Sequence, residues 1–242
     1  LPKGNEMNEP LFFQFFELES STYTYLLADK ESKEGVLIDS VLETVERDLQ
    51  FIRELEINLV YLLETHVHAD HVTGASKIRK ALDGKPKIGV SAAAKLECCD
   101  VHLKEGQKLN FGKHEIQVIA TPGHTDSCLS YLIGDRVFTG DALLIHGCGR
   151  TDFQQGSATK LYNSVTKKLF ELPDNIRVYP AHDYQGRCAS TIGLEKKYNL
   201  RLGSGKSLED FTKIMDELNL AKPKKIDIAV PANMKCGQQS LN

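Results

Sequence analysis

An α/β fold is predicted by three observations. Runs rich in β-forming residues alternate with amphipathic helical stretches, the runs are short and punctuated by Gly and Pro, and four of them stop abruptly at His or Asp. The N-terminal part opens with a strand meander at Leu11–Phe16, Thr22–Ala28 (where Tyr23, Tyr25 and Leu27 alternate) and Val36–Ile38, with a charged turn at Lys30–Gly35. Asp39 ends the third run, where it could cap the following helix or stand beside a site at the strand end. Leu42, Val45, Leu49, Ile52 and Leu55 recur at helical spacing and predict an amphipathic helix packed on the sheet. Leu59–Leu63 then reads as a buried strand, and Val72–Leu82 as a helix. A short strand at Lys87–Val90 and a helical piece at Ala92–Cys98 follow. Two hairpins come next, Leu109–Phe111 with His114–Ala120 and Ser127–Ile133 with Arg136–Thr139. Leu161, Val165, Leu169 and Leu172 mark a helix, and Arg177–Tyr179 a last strand. Beyond it the chain is helical and charged at Thr191–Asn199 and Ser207–Leu218, then ends in a Pro-punctuated tail.

Chemistry is concentrated where strands end. The string Thr65-His66-Val67-His68-Ala69-Asp70-His71 follows Leu59–Leu63 directly. Side chains two apart in an extended segment point the same way, so His66 and His68 can face one point, and Asp70 and His71 follow at the turn. Pro122-Gly123 forces a turn that sets His124 at the end of another strand, Asp141 caps a third, and His182 follows the fourth. Residues at the ends of neighbouring strands can converge at one edge of a sheet. Spacing alone therefore pools His66, His68, Asp70, His71, His124, Asp141 and His182, an imidazole and carboxylate set suited to zinc, iron or manganese. His102, His114 and His146 lack this context and are left out.

Composition excludes several other classes. Across 242 residues, 30 Lys and Arg stand against 33 Asp and Glu, a net charge of −3, so no basic field recommends nucleic acid. No apolar run reaches the roughly 18 residues of a membrane span, and no signal peptide opens the sequence. A start at Leu1 rather than Met is compatible with removal of a targeting segment, which leaves compartment open. The six cysteines, Cys98, Cys99, Cys128, Cys148, Cys188 and Cys236, form no CxxC pair or disulfide framework and read as reduced intracellular thiols.

The HxHxDH string at His66–His71, the downstream His124, Asp141 and His182, and the segment around Asp39 together resemble the metallo-β-lactamase superfamily. That resemblance covers about residues 10–185 and implies an αββα sandwich, two mixed β-sheets flanked by helices with metal at one end. Residues 186–242 would then form a helical C-terminal extension of a single domain spanning 1–242. Two further segments, Gly147-Cys148-Gly149-Arg150-Thr151-Asp152-Phe153-Gln154 and Val230-Pro231-Ala232-Asn233-Met234, resemble the persulfide dioxygenase family. Glyoxalase II, a thioesterase with a dinuclear metal site, has a comparable Gly-Cys-Gly loop but Lys and an aromatic pair where this chain has Arg150, Thr151 and Asp152.

The resemblance implies one Fe(II) per chain on His66, His124 and Asp141, with His68, Asp70, His71, His182 and Asp39 around it or, in the hydrolase alternative, some of them on a second metal. It implies glutathione contacts at Arg150, Tyr184 and Arg201, the guanidinium of Arg150 forking onto a carboxylate. The implied reaction oxidises glutathione persulfide with O2 to sulfite and glutathione, in a mitochondrial-matrix homodimer that uses neither nucleic acid nor membrane.

Overall fold

The computed structural model describes residues 9–238. The first sheet holds strands in chain order: β1 (Leu11–Glu17), β2 (Thr22–Ala28), β3 (Glu34–Ile38), β4 (Asn58–Leu63), β5 (Lys87–Ser91) and β6 (Val101–Leu103). Its first three strands pair antiparallel, and β3 to β6 pair parallel. The crossover helices are α1 (Val45–Glu54), entered through a 3-10 turn at Leu42–Thr44, and α2 (Ala75–Ala81). The second sheet holds β7 (Lys108–Phe111), β8 (His114–Ala120), β9 (Leu129–Ile133), β10 (Arg136–Gly140), β11 (Arg177–Pro180) and β12 (Ser190–Thr191), again in chain order. Here only β10 and β11 pair parallel, because α3 (Ala158–Lys167) crosses between them. Three C-terminal helices follow: α4 (Ile192–Tyr198), α5 (Leu208–Asp216) and α6 (Ile226–Asn233).

The strand β2 shows why the layers stack as they do. All seven of its residues are buried, and its alternate side chains serve two different cores. Tyr23, Tyr25 and Leu27 pack between the sheets with Phe111, Val118, Tyr131 and Phe138. Leu26 and Ala28 point the other way, onto Leu49 and Ile52 of α1 and Ile78 of α2. A third core places Leu161 and Val165 of α3 and Phe211 of α5 on the outer face of the second sheet, beside Val137 and Val178. The period of two along each strand thus produces the four layers of an αββα sandwich. No helix among the described residues is long and apolar enough to cross a membrane.

Several local expectations are corrected. The helical piece expected at Ala92–Cys98 is a single 3-10 turn, Ala92–Ala94, ended by Lys95 in the left-handed region at φ 53°. The Pro-punctuated tail contains α6, with Pro231 inside it. Its ring removes one N–H from the ladder, a loss a short helix tolerates when one face is packed. The short strands β6 and β12 carry too few residues to show a period. Cys98 and Cys236 are not reduced thiols but a disulfide, with Cα atoms 5.9 Å apart and 138 positions between them. Sequence spacing could not show this pair, since α6 returns to the first sheet only in three dimensions. The other four cysteines are free. Of the span expected as one domain, residues 1–8 and 239–242 lie outside the described residues.

One buried charge gives the fold a pH signature. Asp48 of α1 is fully buried, its Oδ1 accepting from Nε and Nη2 of Arg47 at 2.9 and 2.7 Å, while Oδ2 has no partner among the described residues. Burial pushes its pKa up to about 6 although the guanidinium pulls the other way. A carboxyl raised on folding contributes stability below its unfolded value and loses it as pH rises through the folded one. Asp48→Asn is therefore expected to raise unfolding free energy by roughly 1–2 kcal/mol at pH 8, and to change it little at pH 4. Denaturant melts at both pH values check this, and equal shifts at the two would reject it.

Candidate metal centre

Strand direction brings the pooled residues together. Since β9 lies antiparallel between β8 and β10, those two run the same way, and β11 runs parallel to β10. Their C-terminal ends therefore share one edge, where they release His124, Asp141 and His182. The first sheet contributes the residues after β4. Cross-sheet hydrogen bonds close the edge: the N–H of Leu129 donates to the carbonyl of Thr65, the N–H of Tyr23 to that of Ala181, and the Tyr131 hydroxyl to that of Glu64, each at 2.7 Å. Gly123, at φ 146°, makes the turn before His124, and a Cβ there would stand 2.2 Å from the backbone nitrogen of Leu161 in α3.

His66, His124 and Asp141 each present a ligand atom, all within 4.8 Å of one another. The two rings lie 4.9 Å apart and nearly perpendicular, and His124 Nε2 is 3.4 Å from Asp141 Oδ2. His124 Nδ1 is spent on the carbonyl of Arg150 at 2.7 Å, which leaves Nε2 for the cluster. Likewise His66 Nδ1 meets the Thr65 hydroxyl at 3.0 Å, and that hydroxyl donates to Asp39 Oδ2 at 2.8 Å. Burial, reinforced by the neighbouring imidazoles, holds the pKa of His66 well below the usual histidine range, so its lone pair is free to coordinate. Asp141 Oδ1 is buried with no hydrogen-bond partner among the described residues. Two imidazoles and an under-satisfied carboxylate suit a divalent metal.

The remaining pooled residues form a network around that cluster. His68, Asp70 and His182 also bring ligand atoms within 4.8 Å, and Asp39, Glu64 and His68 do the same. His68 stands ring to ring with His66 at 4.0 Å, but its Nε2 is turned to Asp39 Oδ1 at 3.1 Å. Burial alone would lower the pKa of His68, yet the Asp39 carboxylate more than offsets this and raises it. Asp70 Oδ2 meets His71 Nδ1 at 3.0 Å and lies 3.7 Å from His182 Nε2. Asp39, left open between a helix cap and a site role, caps nothing: it adopts φ 53° and accepts from Thr65 N at 2.7 Å as well as from the Thr65 hydroxyl. A non-glycine residue in that region costs on the order of 1 kcal/mol, offset here by three polar contacts.

The expected glutathione contacts lie near this edge but are engaged with the chain itself. Arg150 does fork onto a carboxylate, but that of Asp152, at 2.6 and 2.7 Å, and it also donates to the carbonyls of Leu220 and Ala221. Arg201 Nη1 donates to the carbonyl of Cys148 at 2.5 Å, which holds the Gly-Cys-Gly loop. Tyr184 is 74 % exposed, its ring parallel to that of His182 at 6.2 Å. His102, His114 and His146 belong to none of the metal-type clusters among the described residues.

Sequence reasoning missed Glu64, Thr65 and the role of Asn233. Glu64 and Thr65 continue β4 into the ligand string, and a polar pair at that position was the available signal. Burial and the neighbouring Asp39 push the Glu64 carboxyl up. Asn233 lies in the Val230–Met234 segment already singled out, but nothing local shows that it reaches residues 68–73.

Known proteins resemble this chain along most of its length. Residues 19–97 and 100–182 match the metallo-β-lactamase superfamily. The mouse protein named persulfide dioxygenase ETHE1, mitochondrial, is 52 % identical over 232 residues, covering 95 % of this chain and 90 % of the relative. The human protein of the same name is 50 % identical with the same coverage. A crystal structure of ETHE1 from Myxococcus xanthus superposes with a TM-score of 0.91 at 51 % identity, covering 94 % of this chain and all of that one.

Proposed function

Because the chain belongs to the persulfide dioxygenase family of the metallo-β-lactamase superfamily, we propose that it is a persulfide dioxygenase. The overall reaction converts glutathione persulfide, dioxygen and water into glutathione, sulfite and two protons. The observation that carries this reading is the grouping of two imidazoles and one carboxylate, His66, His124 and Asp141, at three strand ends. We assign these three to a single Fe(II) per chain. Iron held by these residues would supply the accessible redox states needed to add both oxygen atoms to the terminal sulfur.

The chain's own residues prepare that site. The carbonyl of Arg150 fixes the tautomer of His124, and Thr65 with Asp39 fixes the ring of His66. His68, Asp70, His71 and His182 are assigned to the surrounding shell. Two contacts support this: Asp70 is already spent on His71, and His68 is held by Asp39. For glutathione we assign the exposed ring of Tyr184 and the Arg150 guanidinium, which a substrate carboxylate would reach by displacing Asp152. Arg201 shapes the same loop through Cys148. We take residues 1–242 as one domain, acting as a homodimer in the mitochondrial matrix; the mouse and human relatives are named mitochondrial.

A second reading is favoured by one observation, the convergence of His68, Asp70 and His182, which could seat a second metal in a thioesterase of glyoxalase II type. Oxygen dependence separates the two. The iron-loaded protein is expected to consume dioxygen on addition of glutathione persulfide, to release sulfite, and to stop under anaerobic conditions. Cleavage of S-lactoylglutathione without oxygen uptake on persulfide would replace this reading with the second.

A further inference from the structure

The last residue of α6 and the turn after it grip the loop carrying the metal-site histidines. Asn233 is buried, its Oδ1 accepting from the N–H of Thr73 at 2.9 Å, and its Nδ2 donating to the carbonyls of His68 and His71 at 2.9 and 2.8 Å. All its side-chain bonds thus go to backbone groups of one loop. Three residues on, the carbonyl of Cys236 accepts from the N–H and hydroxyl of Ser76 at 3.3 and 2.6 Å. Gly237, at φ 79°, lies so close that a Cβ would stand 2.2 Å from the carbonyl oxygen of Thr73. This grip is tethered covalently to the connection between β5 and β6, at the edge of the first sheet, by the Cys98–Cys236 disulfide.

The disulfide is accessible from one side only. Cys236 is 3 % exposed, whereas Cys98 is partly exposed and lines an open groove of about 420 Å³ beside α2, together with Arg79, Lys80 and Gln238. A thiol that carries carboxylates would be drawn there by Lys80, and by Arg79, whose guanidinium also pairs with Asp100 at 2.9 Å.

We propose that Cys98–Cys236 is an exchange site for small anionic thiols, and that its redox state sets how firmly Asn233 holds the metal loop. A thiolate entering the groove attacks Sγ of Cys98 and expels the Cys236 thiolate, which takes up a proton. A second thiol then attacks the mixed disulfide, which leaves Cys98 as a thiol and releases the small molecule as its own disulfide. Two thiols supply the two electrons. Freed from the first sheet, the 233–237 segment depends on its hydrogen bonds alone, and Asn233 acts as a positioning residue whose occupancy falls. Only the choice of glutathione as the natural thiol rests on the function proposed above, because that reaction releases it.

Hydrogen exchange on the full chain tests this independently of activity. On treatment with glutathione, mass mapping is expected to find Cys98 modified or free, and the amides of residues 73–76 should exchange about tenfold faster or more. Amides of β8 and β9 should keep their protection, and reoxidation should restore that of the loop. Cys98→Ser should exchange rapidly from the start and be indifferent to glutathione, whereas Cys188→Ser should behave as the parent. The cationic thiol cysteamine should react more slowly than glutathione. In steady-state assays Asn233→Ala should lower kcat with little change in KM, with the disulfide intact. A loop whose exchange stays the same after the disulfide is demonstrably reduced would overturn the coupling. A disulfide that resists millimolar glutathione, or yields faster to cysteamine, would overturn the exchange site. Absence of oxygen uptake would bear on the proposed reaction and leave both of these readouts intact.

Discussion

Asp141→Ala is expected to yield a folded protein that retains almost no metal, with dioxygenase activity at background. Asp141 supplies the single carboxylate of the His66, His124 and Asp141 grouping, and its Oδ1 is buried without a hydrogen-bond partner among the described residues. Removing the carboxylate leaves two imidazoles to hold a divalent cation. Loss of an outer partner of a metal ligand already costs about 10–100-fold in affinity, so loss of this carboxylate should exceed about 100-fold. Asp70→Ala is the comparison, since the Asp70 carboxylate is bonded to His71. It should damage turnover more than metal content. Elemental analysis of both purified variants decides the matter, and equal metal loss would mean that Asp70 holds metal as Asp141 does and that their division into ligand and outer partner is wrong.

The second large effect needs no change of ligand. Gly149 passes directly over the site: a Cβ there would lie 2.7 Å from His124 Nδ1 and from the carbonyl oxygen of Asp141, and 2.9 Å from Asp141 Cβ. Its own N–H donates to that carbonyl at 2.7 Å, and the next residue's carbonyl receives His124 Nδ1. None of these atoms is the free end of a flexible chain. A methyl group must therefore push two proposed ligands apart, and overpacking of this kind costs about 1–3 kcal/mol of stability. Gly149→Ala is expected to lose most of its metal with a lower Tm, while Gly147→Ala, where a Cβ meets nothing within 4 Å, should resemble the parent in both. Full metal content in Gly149→Ala would show that the loop can move aside without disturbing His124 and Asp141.

What was legible in the sequence was what chain-local physics controls. The period of two in Thr22–Ala28, the Gly and Pro at residues 122–123, and the abrupt polar stop after Leu63 each report on one strand or one turn, so they located the strand ends and the seven pooled side chains. Their division into separate clusters was not legible. His66 and His68 are the same residue type two positions apart, and only Thr65 on one and Asp39 on the other give them different tasks. Arg150 illustrates the same limit, because a guanidinium fork accepts any carboxylate and Asp152 is two residues away. The contacts made by Asn233, across 160 to 165 positions, leave no periodic trace at either end.

Each sheet is assembled from strands contiguous in sequence, the first complete by Leu103 and the second beginning at Lys108. The proposed ligands are divided between them, His66 following β4 of the first and His124 and Asp141 following β8 and β10 of the second. Neither half of the molecule brings these three side chains together by itself, however well its own strands have paired. Capture of metal by the proposed set would then serve as a check on assembly: a chain whose halves have not docked cannot offer His66, His124 and Asp141 to one ion.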